Sequence, residues 1–183
     1  MIKMTIAACE SVKDTNISNE NKTVKKGGKY LTFYLGDEEY GIEILKVREI
    51  IGFLVITPIP KVPKFIKGFI NLRGKIIPIL DLRLKLSMQE AAHTEKTCII
   101  VVKANDIELG IIVDKVSEVA NIDNNDIEDT PCFGERVDTD YILGIGRSGD
   151  KVKILLDINK VISTKDVIDI KQAEKPANQI NQK

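Results

Sequence analysis

From Tyr30 onward the apolar residues come in short runs separated by turn residues, the pattern of strands rather than of long helices. Tyr30 to Leu35 is an aromatic and β-branched run, Gly36-Asp37 marks a turn, and Tyr40 to Ile44 carries a second run. The segment Glu43 to Ile50 fits either a continuing strand or a helical turn, because Ile44, Val47 and Ile50 also recur every three residues. Pro58, Pro60 and Pro63 exclude a long regular element, leaving room for one helical turn from Lys64 to Lys67. Phe69 to Leu72, the corner Arg73-Gly74 and the run Ile76 to Leu80 then read as a hairpin. Asp81 to Leu86 closes the unit, and Ser87 to Glu95 is a polar connector.

A second unit resembles the first. Leu109 to Val119 aligns with Tyr40 to Ile50 at an offset of 69, with Gly, Ile, Lys, Val and Glu recurring at matching places. Gly144 precedes Asp157 by the 13 positions that separate Gly68 from Asp81, at an offset of 76. The second unit thus carries seven extra residues in its middle, an inexpensive growth of a loop. Two matches in the same order point to a duplicated β-rich unit.

Each unit holds four or five short strands, which suits a small barrel or a tightly curled sheet, since closure both buries an apolar face and removes edges. The expected organisation is all-β with short helices. Residues 1–28 form a polar, flexible arm ending in Gly27-Gly28, residues 29–95 the first half with its connector, and 96–163 the second half. Residues 164–183 supply a short helix, Lys165 to Glu174, and a tail that frays from Pro176. The two halves are expected to pack side by side with a groove between them.

Composition narrows the function. Of 183 residues, 43% are hydrophobic and 30% charged, enough for a folded core. Lys+Arg and Asp+Glu balance at 27 each and there is no Trp, so nothing steers the chain toward nucleic acid or an anionic membrane. Cys9, Cys98 and Cys132 lie far apart, which argues for a reducing compartment, with Cys98 as a buried thiol. Ile6-Ala7-Ala8-Cys9 mimics a lipoprotein cleavage site without the apolar stretch that export needs, and Asn16 and Asn21 head glycosylation triplets that need a secretory route. No apolar run is long enough to span a membrane, so a cytoplasmic location is expected.

Catalytic groups are scarce. His93, the only histidine, sits in the polar connector and cannot form a zinc site alone. Gly144 to Gly149 reads as a hairpin corner, not a phosphate loop. Asp37, Glu38 and Glu39 read as a solvated turn. Asp123, Asp126, Glu128 and Asp129 lack the glycine and closing glutamate of a calcium loop, while Asp81 and Asp157 each cap the turn after a strand. No catalytic, metal or cofactor site is therefore expected. A binding protein is the leading class, a small-ligand regulatory module with a preformed polar pocket the runner-up, and an enzyme third.

Charge is uneven along the chain. Residues 60–85 carry Lys61, Lys64, Lys67, Arg73, Lys75, Arg83 and Lys85 against Asp81. Residues 117–140 carry eight acids, Glu118, Asp123, Asp126, Glu128, Asp129, Glu135, Asp138 and Asp140, against Arg136. These runs are either two electrostatic faces for different partners, or for head-to-tail joining, or ordinary solvated loops. Arg73 at its corner can grip carboxylates bidentately, as an interface anchor or as a salt bridge across its own turn.

The stretches Leu35 to Ile50 and Phe65 to Arg83, with the core Asn71-Leu72-Arg73-Gly74, closely resemble the chemotaxis coupling protein CheW family, and the likeness continues through Gly110 to Val116 and Tyr141 to Ile162. The resemblance covers about residues 30–162. It implies two five-stranded SH3-like β-barrels and an adaptor linking the cytoplasmic tips of methyl-accepting chemoreceptors to the regulatory domain of the CheA histidine kinase. It further implies that Val47, Glu49, Gly68, Arg73, Gly74, Gly110 and Val119 contact receptor or kinase, or shape those surfaces. Recruitment to membrane receptor arrays would then run through the partners. With about 20 residues after the second unit, the receiver domain of the related CheV proteins is not expected.

Overall fold

The computed structural model describes residues 26–130, 139–149 and 151–174. Among the described residues eleven strands alternate with short turns: β1 (Gly28–Leu35), β2 (Glu38–Glu43), β3 (Val47–Gly52), β4 (Ile66–Leu72), β5 (Lys75–Asp81), β6 (Cys98–Ala104), β7 (Ile107–Val113), β8 (Lys115–Ile122), β9 (Ile127–Glu128), β10 (Ile142–Ser148) and β11 (Lys151–Leu156). The α-helices among them are α1 (Leu82–Lys85), α2 (Ile158–Val161) and α3 (Thr164–Glu174). The segment that fitted both strand and helical turn is both in succession: a 3₁₀ turn at Ile44–Lys46, then β3. Lys64 and Phe65 form a turn rather than a helix, closed by the Ile66 N–H donating to the Pro63 carbonyl at 2.9 Å.

The strands form two sheets, ordered β8-β1-β2-β11-β10-β9 (sheet A) and β3-β6-β7-β5-β4 (sheet B). The fold is mostly β with short helices, as expected, but the sheets have six and five strands rather than five each. They also do not follow the expected division at residue 95. Each sheet takes the leading hairpin of one repeat (β1-β2 or β6-β7) and the remaining strands of the other. The exchange occurs where the chain crosses between sheets, at Ile44–Lys46 and at the single residue Asp114.

The repeat is visible in the pairing itself. β2 runs parallel to β11 with Gly41 opposite Leu155, and β7 runs parallel to β5 with Gly110 opposite Ile79. The β4–β5 ladder slips between Ile66 and Gly68, and the β10–β11 ladder slips at the matching Ile142 and Gly144. Both expected caps form: the Asp81 carboxylate accepts from the Leu84 N–H at 3.2 Å, and Asp157 from the Asn159 N–H at 3.0 Å.

Alternation along the strands distributes three cores. Ile100 and Val102 of β6 face the large core between the sheets, with Leu31, Phe33, Leu80 and Leu156. Ile99 and Val101 face the other way, joining Ile70, Ile77, Ile79 and Ile112 in a core belonging to sheet B alone. Tyr30, Ala120, Ile122 and Leu155 do the same for sheet A. Because β6 is buried on both faces, it reads as an unbroken apolar run. Helix α3 begins with a reciprocal cap, in which Ser163 Oγ accepts from the Asp166 N–H at 3.2 Å and the Asp166 carboxylate accepts from the Ser163 N–H at 2.7 Å. It docks through Val167 and Ile170 and through a Lys85–Asp166 ion pair at 2.6 Å.

Gly68 has the tightest backbone requirement. Its φ of 143° lies outside the ordinary range of L-residues, and a Cβ there would sit 1.9 Å from the Thr57 carbonyl oxygen. Gly68→Ala is therefore expected to cost more than about 2 kcal/mol, by combining backbone strain with overpacking. Urea unfolding of the variant would measure it, and a midpoint like that of the unmodified protein would refute it.

Candidate interaction surface

The β4–β5 corner is a two-residue hairpin turn between Leu72 and Lys75. Arg73 (φ 53°) and Gly74 (φ 86°) are both left-handed, the geometry whose preferred occupants are Asn and Gly. Asn71 braces the turn by accepting the Gly74 N–H at 2.8 Å. Arginine in a left-handed position is unfavourable, so this turn spends backbone energy to present a guanidinium.

That guanidinium reaches across the sheet rather than across its own turn. Arg73 Nη2 lies 2.7 Å from Glu49 Oε2, and Nη1 lies 3.4 Å from Oε1. Glu49 is on β3, so the pair brings the two edges of sheet B together. The Arg73 side chain is 77% exposed and that of Glu49 is 29% exposed. An ion pair this wet contributes about 0–1 kcal/mol, so it can be exchanged for a partner's groups at little cost to the fold. Beside it, Lys75 pairs with Glu108 of β7 and holds that carboxyl below its ordinary range.

Other residues singled out from the sequence are spread through the frame. Gly74 shares the corner with Arg73, and Val47 packs half-buried against the central core. Gly110 lies where a Cβ would meet Ile79 and Ile99 at 2.6 Å. Gly68 lies farther along β4 against Thr57. Val119 is on β8, an edge of the other sheet, and is 52% exposed. Its repeat equivalent, Ile50 on edge strand β3, is likewise exposed. The structure thus gathers Arg73, Gly74 and Glu49, and leaves Val119 on a separate surface.

The basic run is largely answered within the fold. Of the seven basic residues in 60–85, five meet acids elsewhere: Lys67 with Glu90, Arg73 with Glu49, Lys75 with Glu108, Arg83 with Asp114 and Lys85 with Asp166. In the acidic run, Asp129 meets Lys26, Glu128 meets Arg147 and Glu118 meets Lys153. Glu135 and Asp138 lie outside the described residues, as do Cys9 and Cys132. Cys98 is half-buried, and burial raises its thiol pKa. His93 is exposed and packs on Phe53 with ring centres 4.0 Å apart. Among the described residues no three His, Cys, Asp or Glu side chains converge as metal ligands, and no helix is long and apolar enough to cross a membrane.

One reading from the sequence is corrected outright. Glu39 is buried, not solvated. Its carboxylate pairs with Lys153 Nζ at 2.8 Å, and the same ammonium reaches Glu118 at 3.0 Å. Burial alone would raise the Glu39 pKa, but the Lys153 ammonium, Thr32 and Ser117 hold it below its ordinary value. Burial would lower Lys153, and its two carboxylates outweigh that and raise it. Both shifts keep the pair charged. A signal for this existed in the period of two: Lys153 shares its strand face with the inward Leu155.

The fold is a two-sheet β module in which Arg73 and Glu49 link the two edges of one sheet. The family model described as the CheW-like domain matches residues 29–166. The chain belongs to the CheW family. It is 43% identical over 141 residues to the chemotaxis protein CheW of Klebsiella aerogenes, covering 77% of this chain and 85% of that one. It is 34% identical to that of Treponema pallidum, covering 75% and 83%, and 30% identical to protein FrzA of Myxococcus xanthus, covering 74% and 86%. Its structure is similar to the scaffolding protein TtCheW from Thermoanaerobacter tengcongensis, with a TM-score of 0.70, 36% identity, and coverage of 76% of this chain and 95% of that one.

The buried cluster gives a pH prediction. A carboxyl lowered by folding stabilises the fold at neutral pH, and that stability is lost as pH falls from about 4.3 through the folded value. Lys153, raised by folding, stabilises below about 10.4, and its share is lost as pH rises through the folded value. Lys153→Met is expected to cost about 3–5 kcal/mol at neutral pH by stranding Glu39, and adding Glu39→Gln should recover part of the loss. Urea midpoints should fall more steeply on acidification in the unmodified protein than in the double variant. Equal slopes would overturn the assignment.

Proposed function

We propose that this protein is a non-catalytic chemotaxis adaptor that couples methyl-accepting chemoreceptors to the CheA histidine kinase and supports receptor control of kinase activity. The observation that carries this reading is the Arg73–Glu49 pair, exposed and costly in backbone terms, on a family member whose relatives are chemotaxis proteins. The mechanism is non-covalent. Receptor and kinase regulatory domain bind separate surfaces of one rigid body, and differential contact with two receptor states biases the kinase. Arg73 and Glu49 act as the direct polar contact, Val47 and Val119 as apolar contacts, and Gly68, Gly74 and Gly110 hold the backbone that presents them. The adaptor works in the cytoplasm and is recruited to membrane receptor arrays through its partners.

Titration with a receptor-tip fragment and with the kinase regulatory domain tests this reading. The unmodified protein should bind both. Arg73→Glu should weaken at least one by roughly 30-fold, the about 2 kcal/mol of an interface anchor, while Arg73→Ala loses less. Unfolding midpoints should stay close to the original. Absence of binding to both fragments by the unmodified protein would refute the adaptor.

A further inference from the structure

Edge strand β8 departs from regular pairing just before Val119. Leu31 of β1 lies opposite Val119 and Phe33 opposite Val116, so Ser117 and Glu118 of β8 stand against the single residue Thr32. This is a β-bulge, a device that bends a strand and re-aims the side chains beside it. The repeat carries a counterpart on β3, where Arg48 is the extra residue beside Glu49, and Glu49 stands opposite Val101. The offset of 69 maps Ser117 onto Arg48, Glu118 onto Glu49 and Thr32 onto Val101.

The two bulges are held differently. On β8 the Glu118 N–H donates to Thr32 Oγ1 at 3.3 Å, and the same hydroxyl donates to the Glu118 carbonyl at 3.1 Å. The Glu118 carboxylate accepts from Lys153 Nζ at 3.0 Å. Thr32 and Lys153 are both buried, so the bulged residue is gripped at its backbone and at its side chain from beneath. Its outer side stays open: the Glu118 side chain is 61% exposed, and the neighbouring Val119 is exposed as well. On β3 the equivalents of Thr32 and Lys153 are Val101 and Ile77, buried apolar residues that offer no side-chain hydrogen bond. There Glu49 is held from outside, by Arg73.

We infer that Thr32 is a positioning residue for partner binding at β8: its buried hydroxyl fixes the bulge at Glu118, and the bulge sets the pose in which Val119 meets the partner. The inference rests on the adaptor reading, in which Val119 is an apolar contact. Thr32 has no exposed surface and touches no partner itself. A hydroxyl suits the place because it accepts and donates at once, as the N–H and C=O of one bulged residue together require. Valine has nearly the same shape and can do neither, so it would leave both backbone groups of Glu118 without this partner.

Titrations of the full chain with the receptor-tip and kinase-domain fragments test the inference, with Thr32→Val removing the hydroxyl and Thr32→Ser keeping it. Val119→Ala should weaken one fragment. Thr32→Val should weaken the same fragment by at least about fivefold, while Thr32→Ser stays near the original. In the Val119→Ala background Thr32→Val should cost less than about twofold, because a residue acting through Val119 then has nothing left to position. Additive losses, equal losses with serine, or a Thr32→Val variant that binds like the unmodified protein would overturn the inference. Amide exchange gives an independent readout. Thr32→Val should speed exchange at Glu118 by at least about tenfold relative to Ile100 and Ile111 of the other sheet, and Thr32→Ser should not. Unchanged exchange at Glu118 means that the hydroxyl does not hold the bulge, and the inference falls. If Arg73→Glu weakens binding while Val119→Ala and Thr32→Val do not, the positioning role fails and the adaptor stands. If neither fragment binds the unmodified protein, the adaptor reading fails and the role in binding with it, and exchange at Glu118 alone decides what holds the bulge.

Discussion

Two parallel strand pairings hold this molecule together. β5 lies against β7 and β11 against β2, and in each pairing a glycine faces a large aliphatic residue: Gly110 with Ile79, Gly41 with Leu155. A Cβ at Gly41 would come within 2.9 Å of the Leu155 side chain, so close approach is a requirement of the packing. Each pairing joins a strand of one repeat to a strand of the other, so neither repeat can complete a sheet alone. The core between the sheets, the cores within them and the position of every edge follow from this exchange. Its cost is kinetic, because strands distant in the chain must meet before any sheet is finished.

Duplication then allowed divergence. Both sheets carry a pair of glutamates at equivalent places, Glu39 and Glu118 in sheet A, Glu108 and Glu49 in sheet B. In sheet A, Lys153 answers both from the interior. In sheet B the position of Lys153 is Ile77, and the acids are answered from outside by Lys75 and Arg73 at the hairpin corner. The same charge problem is solved once by a buried cluster that specifies structure, and once by exposed pairs that contribute little stability and remain exchangeable.

Much was legible from residues alone. The strand runs, the hairpin at Arg73-Gly74, the caps at Asp81 and Asp157, the helix from about Lys165 and the duplication all rest on local signals: a period of two, turn chemistry and spacing. Arg73 stood out because a guanidinium at a hairpin corner can reach carboxylates bidentately. Lys64-Phe65 misled because prolines exclude regular structure without saying which turn replaces it.

What the tertiary structure alone decided was partnership. Which hairpin completes which sheet, why Glu39 is buried, why Arg73 grips Glu49 instead of its own turn, and why five cations of the basic run meet acids outside it all depend on residues many positions apart. Backbone periodicity and turn propensity act over a few residues and are written locally. Ion pairing and burial depend on distances in space, and those exist only once the two repeats have exchanged strands.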